Sequence, residues 1–266
     1  MNPVRNPFAS SAGNRPPELA GRLAILEEAR VAIARALLCK PCRSQMFLGL
    51  RGVGKTVLLS AVETMAITHG HLTSSIEAPE NKPLGVQLIP KIHQVLRKLS
   101  VIENAKAKAH DAMRALGSFG GVFKLEYGDV AMAVDPEVGV ADSGDLENDL
   151  PELFVRIGEA AKAAGRAWTL LIDEVQDLSE ADLAALIVSL HKINQKGLPV
   201  LFFGAGLPQV AALSGDAKSY AERLFHYPEV GALPEKDAKA AIRQPITDEG
   251  ARRVFQTKLD TESTPN

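Results

Sequence analysis

The stretch Met46-Phe47-Leu48-Gly49-Leu50-Arg51-Gly52-Val53-Gly54-Lys55-Thr56-Val57-Leu58-Leu59 decides the fold. An apolar run ends in glycine, a glycine-rich turn follows, and a Lys-Thr pair opens a second apolar segment. Residues 49–56 satisfy G-x-x-x-x-G-K-[ST] in full. Each position has a physical reason. Gly52 and Gly54 let the backbone bend and turn its N–H groups towards an anion. A helix starting near Lys55 adds the positive end of its dipole. Lys55 has the reach and charge for β- and γ-phosphates, and the Thr56 hydroxyl suits Mg²⁺. The candidate binding set is therefore Gly49, Gly52, Val53, Gly54, Lys55, Thr56 and Val57, with Lys55 expected as an exposed contact rather than a core residue. The same pattern in a bare turn binds nothing. Here a buried strand over residues 46–50 precedes it and a helix over residues 57–68 follows, which is the context that the chemistry needs.

A second segment matches the first. Leu170-Leu171-Ile172-Asp173-Glu174 is an apolar strand ending in two carboxylates. Asp173 at a strand's carboxyl end can hold Mg²⁺ together with Thr56, and Glu174 can orient and polarise an attacking water. Acidic residues also cap strands without any function, so the pair gains its meaning from the phosphate loop. Glutamate at this position favours hydrolysis over transfer to a small-molecule hydroxyl.

Working outward, residues 18–38 carry apolar side chains at helical spacing (Leu23, Leu26, Ile33, Leu37), with Pro41 as a stop. Residues 74–77 read as a short strand, and residues 84–116 as one or two helices interrupted near Ser100. Residues 118–143 are glycine-rich and read as an insertion or hairpin. Asp145 stands at a helix cap before a helix over residues 146–164. Ser179 caps a helix over residues 181–195 that Gly197 ends, and residues 200–203 form another buried strand. A last helix covers residues 234–242. Strands alternating with helices predict an α/β fold with a doubly wound, mostly parallel sheet, which binds ligands at the carboxyl ends of its strands. The expected organisation is an extended arm over residues 1–17, a core over residues 18–233, and a partial lid helix with a polar tail over residues 234–266.

Composition narrows the partners. A net charge of -2 gives no global basic field for nucleic acid or an anionic membrane. No apolar stretch reaches the length of a membrane span and the first residues lack a signal-peptide pattern, so the cytoplasm is the expected location. Cys39 and Cys42 form a lone C-x-x-C pair after a helical stretch, which reads as two thiols in a turn rather than a redox or zinc site. His69, His71, His93, His110, His191 and His226 lack metal-ligand spacing on a common helix face. Lys91, Arg97, Lys98, Lys106 and Lys108 make a basic face without interleaved aromatics, a solvated surface rather than a stacking platform. Asp142, Asp145, Glu147 and Asp149 precede a helix and suit its dipole.

The two motifs, with Leu19-Ala20-Gly21-Arg22 upstream, Gly204-Ala205-Gly206-Leu207-Pro208 and Lys218 to Phe225, resemble AAA+ P-loop ATPases of the origin-recognition and STAND-like type. The resemblance covers residues 6–245 and marks the chain as short at its carboxyl end for that family. It implies ATP and Mg²⁺ as cofactors, with Gly21 and Arg22 near the adenine. It also implies an arginine finger at Arg223 that acts on a neighbouring subunit's nucleotide, hence a homo-oligomer, and an unidentified protein client. Catalytic roles then fall to Glu174, Lys55 and Arg223. ATP binding and hydrolysis would drive a conformational or assembly switch. The alternatives are a nucleotide-gated scaffold with little turnover and a DNA-associated loader or regulator. The family places a polar side chain after its fourth core strand, whereas residues 204–206 offer none. Gln176 is the candidate substitute.

Overall fold

The computed structural model describes residues 21–78, 82–122 and 141–248, with side chains to residue 243. The arm over residues 1–17, most of the glycine-rich segment, and the polar tail past residue 248 lie outside the described residues. In chain order the elements are α1 (Leu23–Leu37), β1 (Ser44–Leu48), α2 (Lys55–Thr68), β2 (His71–Glu77), α3 (Leu84–Ser100) and α4 (Lys106–Val122). There follow α5 (Leu146–Ala163), β3 (Ala167–Asp173), α6 (Glu180–Lys196), β4 (Val200–Gly206), α7 (Val210–Ala217), α8 (Ala221–Leu224), β5 (Phe225–His226) and α9 (Glu235–Asp248). Short 3₁₀ turns stand at Glu103–Ala105 and Val175–Asp177.

The strands form one sheet in the order β2-β3-β4-β1-β5, and every pairing is parallel. Side-chain alternation explains why both faces are covered. Trp168, Leu170 and Ile172 of β3, with Phe202 of β4 and Met46 of β1, enter the core under α3, α4, α5 and α6. Their neighbours Leu171, Leu201, Phe203, Ala205 and Phe47 point the other way, into the core under α1 and α2. The fold is therefore the doubly wound α/β sheet that the strand-helix alternation predicts. Its carboxyl edge brings together the residues that follow β1, β3 and β4.

Local chemistry fixes the helix ends as expected. Ser179 accepts from Asp182 N–H at the start of α6, and Gly197 ends that helix with φ 57°. Asp145 caps α5 by accepting from Glu147 N–H. The acidic cluster is accounted for in this way. Buried Asp149 accepts from Ser143 and Gly144, and Glu147 pairs with Lys218 at 2.7 Å.

Three expectations need correction. Helix α4 runs on to Val122 instead of breaking at Ser118, because Phe119 is fully buried against Gly85 of α3, where a Cβ would press on its ring at 3.2 Å. Strand β4 continues through Gly204-Ala205-Gly206 instead of stopping at Phe203. A Cβ at Gly204 would come within 2.9 Å of the Phe202 ring, so the glycine is a packing requirement and not a strand break. The stretch between β4 and the last helix, where the sequence suggests no element, contains α7, α8 and the two-residue strand β5.

Candidate functional site: the carboxyl edge of the sheet

The glycine-rich turn joins β1, which lies between β4 and the edge strand β5, to α2. Gly49 follows the strand directly. Its N–H donates to Gly206 O at 3.1 Å, and a Cβ there would stand 2.2 Å from Val230 O. Only glycine allows that approach. Gly52 and Gly54 hold φ values of 81° and 92°, in the region that glycine occupies without penalty. A Cβ on either would meet nothing within 4 Å, so open space stands beside the loop at both residues. Helix α2 starts at Lys55, and its first N–H groups have no intrahelical acceptor. A cradle with room beside it and a helix N-terminus at its end fits a phosphate chain.

Lys55 departs from the expected exposed contact. It is 6% exposed, and its ammonium donates to Gly49 O and Leu50 O, both at 3.0 Å. The cation thus ties the loop to itself, because the carbonyls at the loop's start converge on it. Thr56 is exposed at the first turn of α2, and Val57 is half-buried. Arg22 reaches the same loop from upstream. Its guanidinium donates to Val53 O at 3.3 Å and to Gly231 O. Burial lowers the Arg22 pKa and the nearby Asp237 raises it, the burial effect being the larger. Gly21, with φ 71°, packs where a Cβ would meet the Asp237 carboxylate at 2.9 Å. Gly21 and Arg22 therefore link the loop to α9.

Asp173 ends β3 and is 9% exposed. Register places it one residue past the Ile172–Gly204 pair, and Gly204 in turn pairs with Met46 of β1. Asp173 therefore stands level with Phe47, two strand spacings or roughly 10 Å across the sheet, just below the phosphate loop. Its Oδ1 accepts from Glu174 N–H at 2.9 Å, and among the described residues its Oδ2 takes no donor. A buried carboxylate with a spare oxygen is the kind of ligand that Mg²⁺, a cation that binds oxygen, takes. Glu174 has φ 52°, a left-handed conformation that is rare for a side-chain-bearing residue and clusters at functional sites. Its Oε2 accepts from Gln176 Nε2 at 2.7 Å.

Arg223 lies elsewhere. It is exposed on α8, two residues before Phe225, and Phe225 pairs with Ser44 at the start of β1. That is the end of the sheet opposite the phosphate loop of its own chain. Among the described residues it makes no ion pair with Glu222 or Glu229. The structure thus sets Gly49, Gly52, Val53, Gly54, Lys55, Thr56 and Val57, with Arg22 bonded to Val53 and Gly21 before it, on the same edge of the sheet as Asp173 and Glu174, and leaves Arg223 at the other.

Among the described residues, the remaining chemistry-bearing side chains form no second centre of that kind. Cys39 and Cys42 are free, and burial pushes the Cys42 thiol up to about 11, far from a reactive thiolate. A cavity of about 640 Å³ beside Cys42, Gln45 and His226 opens at the amino ends of β1 and β5, remote from the loop. Among the described residues no group of three or more His, Cys, Asp or Glu side chains is placed to hold a metal ion, and no helix is long and apolar enough to cross a membrane.

Among solved structures, the chain is similar to Cdc6p from Pyrobaculum aerophilum, with 14% identity and a TM-score of 0.49, over 82% of this chain and 47% of that one. It is also similar to the Orc1 protein of Aeropyrum pernix, solved in complex with DNA, with 12% identity and a TM-score of 0.46, over 88% of this chain and 51% of that one. The chain spans about half the length of each. No curated protein matches it. The phosphate loop, the paired carboxylates and the sheet that holds them fall together in a family match, for residues 18–203 fit the model of the AAA ATPase domain, and the chain belongs to that family.

Proposed function

We propose that this chain binds Mg²⁺-ATP on residues 52–56 and hydrolyses it, with Glu174 positioning and polarising the attacking water. One observation carries the reading. The glycine cradle after β1 and the Asp173-Glu174 pair at the end of β3 sit on the same edge of the sheet, separated only by β4. Backbone N–H groups of the loop and the Lys55 ammonium bind the phosphates, with Lys55 giving up bonds to Gly49 O and Leu50 O as it does so. Thr56 and Asp173 would hold Mg²⁺, whose charge neutralises the phosphate oxygens. Glu174 accepts the water's proton or its hydrogen bond, and the protein's main contribution is position and electrostatics. Gly21 and Arg22 are assigned to the base end of the site by the family resemblance, and the bond from Arg22 to Val53 O sets them against the loop.

Hydrolysis in this reading drives a conformational or assembly switch. The core is assigned to residues 18–233 and the lid helix to α9. Arg223 at the far end of the sheet can serve only a neighbouring copy's nucleotide, so a homo-oligomer with shared sites is part of the proposal. The test is turnover of wild type and Glu174→Gln with Mg²⁺ and with chelator. The reading requires Mg²⁺-dependent release of phosphate by the wild type alone. ATP bound without turnover would make the chain a nucleotide-gated scaffold instead.

A further inference from the structure

The last peptide group of β4 is held from both sides. Gly206 O accepts from Gly49 N–H at 3.1 Å, on the phosphate-loop side. Across the same peptide bond, Leu207 N–H donates to Gln176 Oε1 at 3.1 Å, on the β3 side. The other end of that amide, Nε2, donates to Glu174 Oε2 at 2.7 Å. A backbone N–H can only donate, so Oε1 must face Leu207 and the NH₂ must face the carboxylate. The amide orientation is therefore fixed by chemistry. Gly206 makes room for it, since a Cβ there would stand 2.9 Å from Gln176 Oε1 and 2.8 Å from Val210 Cγ2. Gln176 follows the left-handed turn at Glu174, in the 3₁₀ turn Val175–Asp177 that returns its side chain to the carboxylate.

We infer that Gln176 is the positioning residue for Glu174 and couples it to the phosphate loop. The connection runs from Gly49 N–H to Gly206 O, through the peptide to Leu207 N–H, then through the Gln176 amide to Glu174 Oε2. It rests on the hydrolysis reading above and adds what holds the glutamate in place. A displacement of Gly49 when phosphate enters the loop moves the Gly206–Leu207 peptide, and the amide passes that movement to the carboxylate. A merely structural Gln176 would satisfy Leu207 N–H and leave the chemistry untouched.

The experiment measures ATP affinity and turnover for wild type, Glu174→Gln, Gln176→Ala and Gln176→Glu. For Gln176→Ala we expect kcat to fall about 10- to 100-fold, the scale of a misplaced catalytic group, with ATP affinity within about twofold of wild type. Gln176→Glu keeps the shape and the acceptor for Leu207 but sets two carboxylates together. Its activity should be low at high pH and rise as pH falls, because one shared proton restores a donor towards Glu174. Should the alanine variant fail to fold, the comparison of kcat with ATP affinity in the isosteric glutamate variant decides instead. Wild-type kcat in Gln176→Ala, a parallel loss of affinity and kcat, or a wild-type pH profile in Gln176→Glu overturns the inference. Wild-type turnover that Glu174→Gln leaves unchanged refutes the hydrolysis reading and the inference with it. Turnover lost in Glu174→Gln but kept in Gln176→Ala refutes only the role of Gln176.

Discussion

The Lys55 ammonium donates to the carbonyl oxygen of Gly49 at 3.0 Å, so the residue proposed to meet phosphate also closes the loop around itself. Leu50 O completes the grip at 3.0 Å. The proposed binding role and the loop structure thus share one side chain.

Lys55→Ala should therefore fail in two ways. Losing a charged donor to two converging carbonyls costs about 2 kcal/mol of stability, seen as a lowered thermal midpoint. ATP affinity should fall by about 100-fold or more, on the order of 3 kcal/mol, measured by calorimetry below the variant's unfolding temperature. Wild-type affinity in the folded variant would remove Lys55 from the nucleotide site.

His71 supplies a pH signature away from the site. Its Nε2–H donates to Ile33 O at 3.1 Å and its Nδ1 accepts from the Thr169 hydroxyl at 2.7 Å, which satisfies the neutral ring completely. Burial is the main cause that pushes its pKa down to about 4, with the Ile33 bond opposing and nearby His69 assisting. The folded state therefore resists a proton that the unfolded state takes up near the ordinary value of about 6.5. Stability is full above that value, falls as pH drops towards 4, and is flat in this respect below it. The loss attributable to His71 is up to about 3 kcal/mol. Denaturant unfolding at pH 7 and pH 4.5 should show a smaller acid-side loss for His71→Gln than for wild type. An equal loss would mean that other groups carry it.

Arg223 gives a conditional expectation. The start of β1 pairs with β5, and the phosphate loop follows the other end of β1, so Arg223 cannot serve its own nucleotide. Arg223→Ala should bind ATP as wild type does and hydrolyse it poorly. Mixed with Glu174→Gln, it should recover part of the activity at composite sites, where one copy supplies the arginine and the other the glutamate. No recovery in mixtures shown to co-assemble would end the case for a finger acting in trans.

Much of this arrangement was legible in the chain itself. Continuous apolar runs gave β1, β3 and the start of β4, because parallel strands covered on both faces need no polar alternation. The loop at residues 49–56 was legible because phosphate chemistry constrains each of its defining positions. What stayed hidden depends on contacts distant in sequence. Gly204 and Gly206 look like a break, yet they sit in a strand because Phe202, Val175 and Gln176 fill the space beside them. Residues 118–122 look like a glycine-rich loop, yet Phe119 finds its place against Gly85 and carries the helix on. Strand β5 is two residues long and α8 four, too short for any period to register. Gln176 stood out only as a nearby amide, and its value comes from Leu207, whose N–H lies 31 residues away in the chain.

The central claim is that Glu174 hydrolyses a nucleotide held on the loop at residues 52–56, and one measurement tests it most directly. Wild type and Glu174→Gln are incubated with Mg²⁺-ATP, separated rapidly from free nucleotide, and the bound species identified over time. Gln keeps the size of the side chain and a hydrogen-bonding group but cannot accept the water's proton. The account predicts ADP on the wild type and persistent ATP on Glu174→Gln, with turnover reduced by about 100-fold or more. The same conversion of bound ATP to ADP in both proteins, at the same rate, would contradict it.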